Sequence, residues 1–567
     1  MSGFVDLNFD HYYDYDELTD ALKALVDKKP GLTNLLSIGK SPSGRDIWLV
    51  ELTNKATGPP GSKPAVWVDG NTHAGEPTGS MVCLKTVYYL LSEYGVDRDM
   101  SELLDEVTFY VLPRIDPDGG EFVLKTPYYV LVGESETGGG RWYPFTEEEW
   151  KSTQRGLYLE DVDGDGFITS MRIPDICGDW KVSGRDKRLM IRREPGDVEG
   201  CFYRVYPEGL LLNYVGEEKI EMAPQRWSLN LNRNYPGNWG REDTDRGSGP
   251  YPLSEPETRA VVDFIINHPN ICLAVTYHTH GGVCLSYSEN EDLPLQDRNV
   301  FGIIESIFSD VTGYPSFSMR PRRGPGGSFS GYLSLYQDIP CVTIELWDIL
   351  GHAGLGNWVE RGRFAAVNIK EEDRDLKLLA WNDKNLDGKG FVNWTELEHP
   401  QLGKVEMGGW KKKFITRNPP DKFLEAEINK VLRFPIECSR ILPKVELSDI
   451  QIKKIDNNLI EVKATVQNKG ALPSYIMKTS QETNRNPVSL FIELSDDMVL
   501  VDGEKYQEFN LEGYTHSKIT KIRSQRKKTG DKHKQIFSWI IKKSKEDKIT
   551  LRLTLNKGGS SKKIVTV

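Results

Sequence analysis

The stretch Ala65-Val-Trp-Val-Asp-Gly-Asn-Thr-His-Ala-Gly-Glu76 decides the fold. Its first four residues, Ala65 to Val68, are an apolar run that reads as a buried strand. His73 and Glu76 follow just past the strand end, three residues apart, where both side chains can turn toward one cation. Imidazole nitrogen with carboxylate oxygen suits zinc, and such a pair needs a third ligand from elsewhere. A second apolar run, Ile271 to Tyr277, ends directly on His278, with His280 two residues on. A third, Cys341 to Ile344, ends on Glu345. Between them lies Asn230-Leu-Asn-Arg-Asn-Tyr-Pro236, a polar cluster closing on a proline. Open α/β sheets place their sites at the carboxyl edges of strands, so these termini can converge on one crevice. Three ligands plus a spare carboxylate is the pattern of a catalytic site that keeps an open position.

Composition agrees with a folded enzyme. The 567 residues are 38% hydrophobic with 52 glycines and 31 prolines, a globular and loop-rich balance that predicts two to four domains. A net charge of −11 argues against non-specific nucleic-acid binding by the whole chain. No apolar run approaches the ~18 residues of a membrane span, so no membrane partner is expected. The start, Met1 to Asn8, has neither a basic nor an apolar signal region. Seven scattered cysteines with no Cys-x-x-Cys read as buried free thiols. Together these predict a cytoplasmic location. Nothing in the sequence reads out an oligomeric state.

Residues 14 to 29 predict a helix, with Leu18, Ala21, Leu22, Leu25 and Val26 on one face and Pro30 ending it. Ser254-Glu-Pro-Glu257 predicts a capping box opening a second helix that Pro269 stops. Strands alternating with helices predict a mixed, mostly parallel α/β sheet with helices on both faces. From about residue 440 the texture changes to alternating apolar and polar positions. Ser448 to Val466 reads as a hairpin turning at Asn457-Asn458. The expected division is a catalytic domain over 1–435, with an insertion at about 120–225, and an all-β sandwich over 440–567.

The ordered set resembles the zinc metallocarboxypeptidases of the pancreatic type. It takes in Ser37 to Ile47, His73-Ala-Gly-Glu76, Pro113 to Gly119, Leu231 to Pro236, Ser254 to Glu257, Tyr277-His278 and Thr343-Ile-Glu345. It covers roughly residues 10 to 370. More narrowly, the chain looks like a bacterial branch with a long insertion before the Asn-Arg motif, a Glu398 to Gly403 segment and a C-terminal β-domain. The resemblance implies one zinc per chain on His73, Glu76 and His278, and a peptide or peptide-like substrate. Alone, His278 would read as a hydrogen-bonded core histidine. Glu345 would be the general base for a zinc-activated water attacking the C-terminal amide bond. Asn232 and Arg233 would clasp the terminal carboxylate, which a guanidinium fork fits bidentately. His280 and Ser330 would line the substrate site, the latter with Phe329, Gly331 and Tyr332. The oxyanion needs a donor, and Arg141 is chosen over Arg172 and Arg193.

Two departures stand out. The pancreatic enzymes carry an arginine inside the first metal motif, where this chain has Gly75, and a mobile tyrosine before Gly-Gly-Ser, where this chain reads Met319 to Ser328 without one. No acidic residue appears in the side-chain pocket, which disfavours C-terminal Lys or Arg. Two other readings stay open: a zinc amidohydrolase acting on a side-chain-linked glutamate or a cell-wall peptide, and a non-catalytic binding protein. Asp161, Asp163 and Asp165 alternate as in calcium loops, but position twelve would be Arg172, so an acidic turn is expected rather than calcium.

Overall fold

A computed structural model describes residues 4–131, 147–216, 219–224, 229–245, 247–319, 326–361, 369–483, 486–514, 532–543, 548–557 and 559–566. Its centre is an eight-stranded sheet: β1 (Thr33–Lys40), β2 (Asp46–Leu52), β3 (Ala65–Gly70), β4 (Thr108–Leu112), β5 (Ile271–Thr279), β6 (Val283–Ser286), β7 (Ser316–Ser318) and β8 (Cys341–Leu346). The strand order is β1-β2-β4-β3-β5-β8-β6-β7. The four middle strands, β4, β3, β5 and β8, run parallel, and antiparallel pairs join β1, β2 and β6 to them. The sheet is therefore mixed, with a parallel centre buried on both faces.

Strand alternation sorts the apolar residues into two layers. Val66 and Val68 face a layer that includes Leu22, Val87 and Phe308, while Ala65 and Trp67 face Val261, Phe329 and Leu333. Helix α1 (Tyr15–Lys28) starts at Asp14, whose carboxylate accepts from Glu17 N while Glu17 returns the bond to Asp14 N. Helix α2 (Thr78–Glu93) follows β3 so closely that a Cβ on Gly70 would lie 2.5 Å from the Gly79 carbonyl carbon. Glycine at both positions lets the strand end and the helix start touch.

Helix α3 (Pro256–Asn267) corrects one expectation. Ser254 does not cap it; the preceding residue is Glu255, without a side-chain cap, and Pro256 opens the helix. The Ser254 hydroxyl instead accepts from Asn234 Nδ2 at 2.8 Å and donates to Glu255 Oε1 at 2.8 Å. The proline supplies a preset φ and lacks the N–H that a cap would have served.

The insertion and the chain beyond β8 build one further sheet. Hairpin β9 (Phe391–His399) and β10 (Gly403–Trp410) pairs through β10 with Ser170–Pro174, and that strand leads on to Phe202–Pro207, Trp180–Val182 and Met190–Arg192. Residues from both stretches, Met171, Val405 and Met407 among them, share its apolar layer. Past residue 444 the chain forms two four-stranded antiparallel sheets. One holds Val445–Lys454, Leu459–Asn468, Lys534–Lys542 and Val499–Asp502; the other holds Tyr506–Phe509, Val488–Glu493, Lys548–Leu555 and Gly559–Thr566. They share Val462, Trp539, Leu490 and Leu551 as a core. Lys557, buried, donates to the Ile271 carbonyl at 2.7 Å and ties this unit to the start of β5.

Candidate metal centre

The turn after β3 is held by its own hydrogen bonds. Asn71, at φ +56°, donates from Nδ2 to the carbonyls of His73 (2.7 Å) and Ala74 (3.2 Å). The amides of Ala74 and Gly75 donate to Leu131 and Val130. His73 and Glu76 are thereby fixed side by side, with Nδ1 and Oε1 3.0 Å apart. His278 lies on β5, where pairing with β3 sets Tyr277 beside Gly70 and so brings the next residue to the turn. Its Nδ1 lies 2.9 Å from Glu76 Oε2 and 3.3 Å from His73 Nδ1. Donor atoms of the three residues all lie within 4.8 Å of one another.

This donor set fits zinc. His73 Nε2 is 3.0 Å from Asn230 Oδ1, an acceptor that puts the proton on Nε2 and leaves the Nδ1 lone pair pointing inward. His278 Nε2 faces Thr276 Oγ1 at 3.5 Å, again leaving Nδ1 toward Glu76. Two imidazole nitrogens and a carboxylate, nearly all buried, are ligands that a borderline-soft cation takes with one position left open. Burial opposes charge on Glu76, but His73 and His278 together hold its carboxyl well below the usual range. Burial would likewise lower His73, yet neighbouring Glu76 overrides it and raises the imidazole, while His278, where burial dominates, is lowered.

Glu345 sits on β8 directly beside His278 in the parallel register. Burial, then repulsion from Glu76, pushes its carboxyl well above the ordinary value, with Arg417 pulling the other way. Asn232 and Arg233 lie in a single tight turn, Leu231–Arg233, opened by Asn230, whose Oδ1 also accepts from Asn232 N at 2.9 Å. Asn232 Oδ1 accepts from Phe329 N at 2.8 Å, and Arg233 Nη1 donates to Asn232 O at 2.7 Å. His280 lies at the end of β5, half-buried, with Nε2 3.0 Å from Arg417 Nη1. Burial, and then Arg417, lowers its imidazole to about 4.

The remaining sequence expectations fall differently. Arg141 lies outside the described residues. Its rivals are structural: Arg172 ion-pairs with Glu406 and stacks on Tyr203 and Trp394, and Arg193 donates to the Asp197 and Ile176 carbonyls. Ser330 is buried, and Phe329 and Tyr332 pack against Tyr235. In the acidic loop, Asp161 and Asp163 gather with buried Glu208; Asp165 instead accepts from Phe167 N. Residues that sequence reading assigned no role also reach the centre. Asn230 does so from inside the noted polar cluster, but Tyr129, Arg417 and Asn418 carried no signal at all. Tyr129 fills the space over Gly75, where a Cβ would lie 2.4 Å from its ring.

The fold and these residues form a candidate metal centre at the carboxyl edge of a parallel sheet. Residues 18–155 and 218–316 match the family model described as zinc carboxypeptidase. The unmatched gap falls within the insertion, and Glu345 lies beyond the matched segments. Rat (Rattus norvegicus) carboxypeptidase A2 is 25% identical over 276 residues, 48% of this chain and 46% of the relative. Carboxypeptidase B of Astacus astacus is 31% identical over 133 residues, 23% of this chain and 41% of the relative. The chain thus spans less than half the length of these curated relatives. The solved carboxypeptidase A of Helicoverpa armigera is 19% identical, with 61% of this chain and 67% of that one covered at a TM-score of 0.39. Residues 444–566 match a family model described as a domain of unknown function.

Proposed function

We propose that this chain is a zinc-dependent exopeptidase that removes the C-terminal residue of peptides. The observation that carries the reading is the meeting of His73, Glu76 and His278 within 4.8 Å, with Glu345 beside His278 on the next strand. Zinc held by those three residues would supply Lewis acidity, polarising a carbonyl and acidifying a water. Glu345 takes the proton of the attacking water and hands it to the leaving amine. Asn232 and Arg233 take the substrate's terminal carboxylate, which makes the reaction exopeptidic because an internal bond offers no such charge. In this reading the catalytic unit runs over 1–435 with its insertion, and 440–567 is a separate β-sandwich.

The test is hydrolysis of blocked dipeptides and short peptides, with zinc quantified and Glu345→Gln run alongside. Release of single C-terminal residues, about one zinc per chain, and a variant that keeps metal but loses activity are expected. If zinc binds but only amides lacking a free α-carboxylate are cleaved, the clasp by Asn232 and Arg233 is wrong and a non-standard amide becomes the substrate.

A further inference from the structure

The segment after β10 is fastened to both halves of the metal centre. Lys413 is buried, and its Nζ donates to the Val123 and Thr126 carbonyls at 2.5 and 2.6 Å. Asn418 Nδ2 donates to the Gly75 carbonyl at 2.7 Å, inside the His73–Glu76 turn, and Asn418 Oδ1 accepts from Thr78 at 2.9 Å. Trp347, two residues past Glu345, donates from Nε1 to the Ile415 carbonyl at 2.7 Å. These bonds hold one five-residue π-helical turn, Lys413–Arg417, against the turn that carries two ligands and the strand that carries Glu345. Such turns are rare and recur at functional sites.

Arg417 ends that turn, with its side chain exposed. Its Nη1 lies 3.0 Å from His280 Nε2, and its guanidinium lies 5.5 Å from the centre of the Tyr129 ring. A guanidinium has only donors, so His280 Nε2 accepts from it. A ring nitrogen and an aromatic face hold the cation in place. Tyr129 itself packs against Gly75, between His73 and Glu76, so the cation lies beside the turn that carries two of the proposed ligands.

The geometry points to Arg417 as the donor for the oxyanion, delivered to the site by the hairpin that the insertion's sheet supports. The inference rests on the hydrolytic reading above. As the water oxygen bonds to the scissile carbon, the carbonyl π pair moves onto its oxygen, and the N–H groups of Arg417 receive that charge. Collapse restores the C=O bond and breaks the C–N bond, while the proton held by Glu345 goes to the leaving amine. The insertion and β9–β10 then act as a positioning arm, because residues outside the central sheet set where this cation stands.

Arg417→Ala and Arg417→Lys test this on the full zinc-loaded chain, with hydrolysis and the affinity of a peptide phosphonate, a tetrahedral mimic, measured together. The expected result is a fall in kcat of about 10²- to 10³-fold for Arg417→Ala, KM changed only a few-fold, and phosphonate affinity reduced by a similar factor. Zinc content stays at the wild-type level, added guanidinium restores part of kcat, and the lysine variant keeps more activity than alanine. A wild-type rate in Arg417→Ala while Glu345→Gln is dead overturns the assignment and leaves hydrolysis standing; Arg141→Ala, run alongside, would then identify the donor. Lost kcat with unchanged phosphonate affinity overturns it also. A wild type that neither cleaves peptides nor binds the phosphonate removes the hydrolytic reading, and this inference with it.

Discussion

Asp69 lies one turn of chain before the metal ligands, fully buried on β3, and offers a test of the interior that supports them. It accepts from Trp67 Nε1 and from Thr276 Oγ1, both at 2.6 Å, and burial pushes its carboxyl up to about 7. An unfolded aspartate titrates near 3.9, roughly three pH units lower. A raised carboxyl favours the folded state while protonated. Its stabilisation is therefore fully present below the unfolded value and is lost as pH rises through the folded one. At about 1.4 kcal/mol per pH unit, that is a loss on the order of 4 kcal/mol between about pH 4 and pH 7. Asp69→Asn keeps the shape: its oxygen accepts from Trp67, and its amide donates to the Thr276 oxygen, reversing that bond. Urea unfolding of the metal-free protein at pH 5, 6, 7 and 8, followed by tryptophan fluorescence, should give a difference curve, variant minus wild type, that climbs with pH and flattens above about 7. Subtraction removes the other titrating groups, which both proteins share. A flat difference across that range would refute the reasoning, since Asp69 would then be as ionised in the folded chain as in the unfolded one.

Three further outcomes follow from the same packing. Asn230→Ala removes the acceptor of His73 Nε2 at 3.0 Å and should weaken zinc about 10- to 100-fold, with activity recovered at excess metal; a competition titration against a chelator reads it. Gly75→Ala puts a Cβ 2.4 Å from the Tyr129 ring and should cost about 1–3 kcal/mol in denaturant unfolding, because the ring must move. Arg361 and Asp348 form a buried pair with bonds of 2.7 and 3.1 Å, so Arg361→Ala should cost about 3–5 kcal/mol by stranding the carboxylate, and adding Asp348→Ala should return much of it.

What the sequence made legible is what short-range pattern governs. His278 and Glu345 each close an apolar run, where the side-chain period of a strand fixes which face they take, and His73 and Glu76 follow another run by a few residues. Asp14 and Glu17 of α1 form a local, reciprocal pair that reads directly from spacing. Where local pattern failed, a distant group had taken the partner. Ser254 has the capping spacing, but Asn234, twenty residues earlier, claims its hydroxyl. In the acidic loop the third carboxylate of the cluster is Glu208, not Asp165, because the bend between strands Phe202–Pro207 and Gly209–Leu212 lies against it.

Arg417 shows the limit most sharply. Nothing in its neighbours in sequence marks it, since a lone arginine after an aromatic and a threonine is an ordinary surface residue. Its position depends on two long-range pairings: β10 with the insertion strand Ser170–Pro174, and Asn418 with the Gly75 carbonyl, 343 residues away. Each pairing is cheap to describe once folded and invisible to periodicity, because neither repeats. The metal ligands need only strand ends, which any sheet of this kind provides at its carboxyl edge. A cation beside the metal turn needs an element from outside that edge, held rigidly enough that it stays there rather than swinging into water. Lys413, Asn418 and the Ile415 carbonyl supply that rigidity through five bonds to the central domain. The insertion therefore carries a mechanical load: loosening the strand that β10 pairs with should disturb Arg417 while leaving the three ligands, which never touch it, in place.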